Sequence, residues 1–248
     1  MKEYINLNLE NIDDEHLCCA IGDPKHQKGV HQKKEWLKKK FDDGLVFRKF
    51  NARGKIFIQY EPIETAWVPI NGKNYMYIYC LWVAGSYKGQ GIARDLLEYA
   101  IQDAKNRGMS GVCTLTSKKK KPFLSEKKFF AHYDFQVVDQ IDDFELLALQ
   151  FESQEVPQFL ENARLMKINQ EEFTIYYSPA CPYVEYEVDE LTKYCCDHDI
   201  NIQFIKIDTL EKAKNVPCVF NNWANFYKGK FVSHTILNAR SLQKLLEK

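Results

Sequence analysis

No apolar run in this chain approaches the length of a membrane span, and its charges show no excess of either sign. Lys plus Arg total 34 and Asp plus Glu total 34, so a general electrostatic attraction to nucleic acid is excluded as a working expectation. Residues 1–9 alternate polar and apolar side chains and lack the hydrophobic core of a secretion signal. The expected setting is therefore cytoplasmic, with neither membrane nor nucleic acid as partner. The 8 cysteines in 248 residues are too sparse for a disulfide scaffold. They form no paired Cys-x-x-Cys pattern, and no His–carboxylate pair has metal spacing, so no metal is expected. Cys18-Cys19 and Cys195-Cys196 are adjacent pairs, which are poor chelators; most of the cysteines read as packing residues in a reducing compartment.

What is present is concentrated between Tyr75 and Arg107. An apolar strand, Tyr75 to Val83, stops at a glycine turn, and a basic glycine-rich loop then opens into an amphipathic helix. The apolar set Ile92, Leu96, Leu97, Ala100, Ile101 and Ala104 recurs at helical spacing, and Gly108 stops the helix. A helix start leaves unpaired N–H groups and partial positive charge, which suits a phosphate. Gly89 and Gly91 let the main chain come close, and Lys88 adds a full charge. The run is not a P-loop, since no Gly-x-x-x-x-Gly-Lys-Ser/Thr is present. Nor is it a dinucleotide fingerprint, because Arg94 stands where a small residue is needed.

Lys88-Gly89-Gln90-Gly91-Ile92-Ala93, placed after Leu81-Trp82-Val83, resembles the acyl-coenzyme A loop of the GNAT N-acetyltransferase superfamily. The predicted order β-α-α-β-β-β-α-β-α-β-β over residues 1–151 is similar to the layout of that domain. It includes a helix over Glu15–Cys19, a second over Gln32–Phe41 and a hairpin spanning Leu45–Tyr60. Glu152 to Gln170 reads as a linker with a short helix. Residues 171–248 then read as strand, Ser178-Pro-Ala-Cys181-Pro, helix, strand, Val216-Pro217 opening a strand, hairpin and closing helix. That order resembles the thioredoxin/glutaredoxin fold, and the whole chain resembles GNAT acetyltransferases of the YoaP type. The implied fold class is α/β (α+β): a mixed central sheet followed by a smaller thioredoxin-like α/β domain.

The resemblance implies acetyl-coenzyme A as cosubstrate and transfer of acetyl to a primary amine by direct attack in a ternary complex. The acceptor is a small molecule or a peptide amine, and a homodimer is left open. Leu81, Trp82, Val83, Lys88, Gly89, Gln90, Gly91, Ile92 and Ala93 are the expected cofactor residues. The main-chain N–H of Trp82 or Val83 would polarise the thioester carbonyl. In the family pattern a tyrosine supplies the thiolate proton. Here Phe130 stands at that place and Asp134 replaces the following glycine. Tyr133, His132 or water would then substitute. Glu61 is the expected base, with Glu64 as alternative. The lysines at 118–121, 127 and 128 face either coenzyme A phosphates, an acidic acceptor or solvent. Residues 18–26 lie where the acceptor pocket is built, with His26 and His31 on the surface.

Cys181 reads as an accessible thiol before a helix start, which lowers thiol pKa. Val184 occupies the resolving position, so a dithiol cycle within the motif is excluded. Val216-Pro217 is expected to be a cis-proline turn facing Cys181, with Cys218 either near that thiol or in the core. Two rival readings remain: a monothiol redox protein using Cys181, and a non-catalytic acyl-coenzyme A-binding module.

Overall fold

The computed structural model describes residues 2–152 and 155–247; Met1, Ser153, Gln154 and Lys248, at the expected domain ends and in the expected linker, lie outside the described residues. The first unit holds β1 (Tyr4–Asn6), α1 (Gln27–Phe41), β2 (Val46–Phe50), β3 (Ile56–Pro62), the short β4 (Ile70–Asn71) and β5 (Tyr75–Val83). It continues with α2 (Ile92–Asn106), β6 (Gly111–Ser117), α3 (Lys127–Ala131), β7 (Gln136–Ile141) and β8 (Phe144–Gln150). Seven strands form one mixed sheet in the order β1-β2-β3-β5-β6-β8-β7. Every pair is antiparallel except β5 and β6, which run parallel and pair only from Tyr75–Gly111 to Ile78–Thr114. Beyond Ile78 the two strands part.

Both faces of this sheet are covered, and the strand period of two sorts its side chains. Ile56, Ile58 and Tyr60 pack with Met76, Ile78 and the α2 residues Leu96, Leu97 and Ala100. Phe57 packs on the other face with Phe47, Tyr77, Tyr79 and the α1 residues Trp36 and Leu37. Two expectations fail near the N-terminus. Residues 15–19 are bent, irregular chain, with Cys18 and Ala20 at positive φ, and α1 begins at Gln27 instead of Gln32. Leu17, Cys18, Cys19 and Ala20 are all buried in succession, so packing on the sheet face displaces the helix their composition suggests.

The expected linker is a packed strap. Its β9 (Gln158–Phe159) pairs with β4, Phe159 and Ala163 are buried, and Arg164 reaches Asp139 at 2.6 Å. The second unit contains β10 (Phe173–Tyr177), α4 (Val184–Asp197), β11 (Ile202–Lys206), α5 (Leu210–Lys214), β12 (Trp223–Tyr227), β13 (Lys230–Ser233) and α6 (Ala239–Leu246). Its sheet runs β11-β10-β12-β13, with only β10 and β11 parallel. The strand expected at 216–220 is a loop, and the hairpin is β12–β13. Val216, Cys218, Val219 and Phe220 are buried in succession, so burial without a ladder hides the strand period. The described residues contain no cis peptide bond, so Val216–Pro217 is trans and corrects the expected cis turn.

The two units share a core: Ala180 and Val219 belong to the same cluster as Trp36, Phe57 and Tyr79. Lys214 Nζ donates to the carbonyls of Ile63 and Ile70 at 2.9 Å each. Lys28 meets Asp189 at 2.7 Å, and Ala20 N–H donates to the Tyr183 hydroxyl at 3.0 Å. Gly29 sits so close to the second unit that a Cβ there would lie 1.9 Å from the Pro182 carbonyl oxygen.

Candidate active site

The end of β5 leads through a single 3₁₀ turn, Gly85–Tyr87, into the loop that starts α2. Gly89 has φ +76° and Gly91 φ +74°, a left-handed backbone that other residues resist. Gly91 is the N-cap of α2 and no side chain caps it, so the first-turn N–H groups face outward. A groove of about 400 Å³ follows this loop. Leu81, Val83, Lys88, Gly89, Gly91, Ile92 and Ala93 line it, joined by Arg94, by Ser125 and Glu126 just before α3, and by Phe130 within that helix. Of the expected cofactor residues, Trp82 faces elsewhere, and Gln90 turns its amide to the Ser86 carbonyl at 2.9 Å.

Across the strand lies a second cavity of about 430 Å³. Its walls come from four stretches: Phe57 and Gln59 of β3 with Lys33 of α1, the β5 residues Tyr79 to Val83, the loop 120–126, and the second unit's Ala180 to Tyr183 with Asn222. Cys19 joins them from the turn region expected to shape an acceptor pocket. Leu81, Val83, Lys88, Ser125 and Glu126 line both spaces, so groove and cavity meet at the end of β5.

The expected catalytic pair is not brought together. Glu61 has no exposed surface; Lys40 Nζ lies 2.7 Å from its Oε2, Thr65 donates to it at 3.2 Å, and the Tyr79 hydroxyl donates to Oε1. Burial pushes its carboxyl up to about 7, against the pull of Lys40. A carboxylate enclosed in this way holds Tyr79 and touches no incoming amine. Glu64 is exposed and accepts the Asn74 N–H at 2.6 Å. Tyr133 lines neither space; it packs beside Phe129 with ring centroids 5.3 Å apart, and burial raises its hydroxyl pKa.

Cys181 does line the cavity, but it is 7% exposed and burial pushes its thiol up to about 12. The expected low-pKa, accessible thiol is thus corrected: α4 begins only at Val184, and desolvation outweighs the Tyr183 N–H that donates to the sulfur. Cys218 is fully buried in a separate core with Ile207 and Ala213, and all eight cysteines are free. His26, expected on the surface, is 5% exposed and packs edge-on against Tyr183 and Tyr186; burial lowers its pKa. In the basic run, Lys118 bonds the Asp142 carbonyl, whereas Lys120 and Lys121 line the cavity. Among the described residues no group of three or more His, Cys, Asp or Glu could hold a metal ion. No helix among them is long and apolar enough to cross a membrane.

Lys33, Gln59, Ser125 and Glu126 were not expected at the site. Lys33 had a legible signal, since it falls on the same helical stripe as Trp36, Leu37 and Lys40. Gln59 likewise interrupts an apolar strand. Ser125 and Glu126 carry no local signature.

A mixed sheet whose central parallel pair parts beside a glycine loop and an uncapped helix start defines an acyl-coenzyme A-binding transferase. Residues 11–123 match the model of the acetyltransferase (GNAT) family, and residues 201–244 match the model described as YoaP-like. Over 245 residues, 98% of each chain, the protein is 39% identical to the uncharacterized N-acetyltransferase YoaP of Bacillus subtilis (strain 168). Solved structures similar to it include the PaiA N-acetyltransferase of Thermoplasma acidophilum in complex with coenzyme A, at 16% identity and TM-score 0.42, covering 61% of this chain and 99% of that one. Another is the ribosomal-protein-S18-alanine N-acetyltransferase of Escherichia coli, at 14% identity and TM-score 0.41, covering 62% and 97%. The chain belongs to the GNAT acetyltransferase family and is an acetyl-coenzyme A-dependent acyltransferase. Within that family this chain carries a YoaP-like segment at residues 201–244, behind its acetyltransferase part.

Proposed function

We propose that the protein transfers acetyl from acetyl-coenzyme A to a primary amine by direct attack in a ternary complex. The observation that carries this reading is the meeting of groove and cavity at Leu81, Val83, Lys88, Ser125 and Glu126. Coenzyme A lies in the groove, its pyrophosphate on the loop 88–93 and its pantetheine arm along the free side of β5. The thioester reaches the junction, where an N–H of Trp82 or Val83 polarises its carbonyl. A neutral amine in the cavity adds to that carbonyl carbon, the carbon–sulfur bond breaks, and the nitrogen's surplus proton leaves as the thiolate is protonated. Glu126, with no side-chain partner among the described residues, receives the amine proton, and water protonates the thiolate. Glu61 is a positioning group acting through Tyr79.

The second unit, read as a thioredoxin-like module, serves as a wall of the acceptor cavity. The buried, protonated Cys181 speaks for this role over monothiol redox chemistry. The eight free cysteines suit a reducing cytoplasm. An amine panel assayed for thiol release and acetylated product tests the reading. Glu126→Gln should lower turnover by roughly 10²–10⁴-fold with unchanged coenzyme A affinity. Rates within a few-fold of wild type would hand the proton to water instead.

A further inference from the structure

Helix α1 buries two lysines on one stripe, and only one of them is answered. Lys40 meets Glu61 and Asp43 at 2.7 Å each and donates to the Thr65 carbonyl. Lys33, 3% exposed, has no hydrogen bond or ion pair among the described residues. Its ammonium lies 5.2 and 5.4 Å from the ring centroids of Phe47 and Phe57, and the residue lines the acceptor cavity. Ring faces attract a cation but offer it no hydrogen-bond acceptor. The stem is buried while the ammonium tip opens into the cavity, where an anion can reach it.

No anion pairs with this ammonium among the described residues. The ammonium is near enough to Cys19, Cys80 and Cys181 to act on their titration, yet burial keeps all three thiols protonated. Lys88, Lys120 and Lys121 line the same cavity, and among its described lining residues Glu126, at the groove end, is the only carboxylate. Gln59, 1% exposed and opposite Cys80 in the sheet, has a side-chain oxygen with no partner, an acceptor that suits an N–H of the ligand and not its anion. Phe57, under the ammonium, is paired with Trp82, so the unanswered cation lies one strand away from the expected thioester carbonyl.

We infer that Lys33 forms a subsite for an anionic group, carboxylate or phosphonate, carried by the amine acceptor. The acceptor is thus a small acidic amine with its nitrogen at Glu126 and its anion at Lys33. This inference rests on the amine-acetylation reading above. Polycationic amines are disfavoured, because they would bring more positive charge to a cavity already lined by four lysines. The anion and the nitrogen must also span a fixed distance, so one chain length should bind best.

The test uses the full-length protein saturated with coenzyme A. Glycine, β-alanine, 4-aminobutyrate, 5-aminovalerate and aminomethylphosphonate are titrated by calorimetry, each carboxylate against its carboxamide, with spermidine as the cationic control. The same compounds are assayed for acetylation with acetyl-coenzyme A. At least one acid should bind roughly 10- to 100-fold more tightly than its amide, the range of a charge-assisted hydrogen bond. Lys33→Met should bring that ratio to within about threefold of one, and Lys33→Arg should retain most of it. Because Lys33→Met removes a cation without a counter-charge and keeps an apolar stem, its melting temperature without acceptor should equal or exceed that of wild type. A merely structural Lys33 would lower it. The carboxylate and phosphonate arms separate the two anions.

Acids that bind through Lys33 and are never acetylated would overturn the transfer reading and leave the anion site standing. Equal use of acids and amides, or selectivity unchanged in Lys33→Met, would overturn the anion site and leave the transfer standing. Neither binding nor acetylation of any compound would overturn both. Should Lys33→Met fail to fold, the acid-to-amide ratio of wild type and Lys33→Arg decides alone.

Discussion

The groove and the cavity meet at one strand end, yet they are built in opposite ways. The groove is drawn largely from one stretch, Leu81 to Arg94, and offers main-chain groups held by two glycines at positive φ. The cavity gathers side chains from Cys19 to Asn222, across both units, with a buried lysine and protonated thiols at its floor. A cofactor common to a family can be gripped by backbone, whose geometry a short motif encodes. An acceptor particular to one member needs side chains, and these are brought together only by the fold.

Substitutions that touch one region and spare the other sharpen this contrast. The largest effect is expected for Gly91→Glu, which forces a side chain into a left-handed backbone and puts a carboxylate against the pyrophosphate. Calorimetry should show coenzyme A affinity lower by at least about 100-fold in a protein with native circular dichroism. Retained affinity would remove the pyrophosphate from this loop. Gly29→Ala works on the other region, because its Cβ would meet the Pro182 carbonyl oxygen. It should cost about 1–3 kcal/mol of stability and reduce kcat/KM for the amine about 10-fold, with coenzyme A affinity within twofold. Equal loss at both sites would erase the distinction.

The seam between the units also carries a pH signature. His234 packs on Phe144 and Phe231, and burial holds its pKa at about 4, well below the 6.5 usual for histidine. A depressed folded pKa contributes stability that is whole above pH 6.5 and lost as pH falls towards 4. That amounts to about 3 kcal/mol, from the pKa difference at 1.36 kcal/mol per unit. The raised Glu61 carboxyl gives a slope of opposite sign over the same range, so the His234 share should appear in urea unfolding between pH 4 and 7 as the difference between wild type and His234→Leu. The smallest effect is expected for Cys181→Ser, with acetyl transfer within about twofold of wild type because the thiol is neutral and takes no part. Iodoacetamide at neutral pH should label the exposed Cys196 well before Cys181. Rapid alkylation of Cys181 would restore its standing as a reactive thiol.

The contrast also explains what could be read from the chain alone. The strand, loop and helix from Tyr75 to Arg107 were legible because their period and glycines are local. Residues 15–19 and 216–220 were misread because consecutive burial erases the period on which secondary structure is inferred. Glu61 and Cys181 were named for their chemistry, but whether a carboxylate or thiol meets solvent depends on residues distant in the chain. Lys40 beside Glu61 and Cys19 beside Cys181 illustrate that dependence. Lys33 was visible as a lysine on an apolar stripe, although nothing local tells an answered one from an unanswered one.

The parting of β5 and β6 has a further consequence. It gives the sheet an edge in its middle, where main-chain groups beyond Ile78 lack their ladder partners on that side. Edges on the outside of a sheet invite strands from other molecules. This one opens into a slit bounded by two strands of the same sheet, which a whole polypeptide strand cannot enter but a slender arm carrying amides can. Coenzyme A would then act as a removable strand, supplying the rungs that the polypeptide omits. Amide exchange along the last turn of β5 should slow when the cofactor binds, and so report occupancy from the sheet itself.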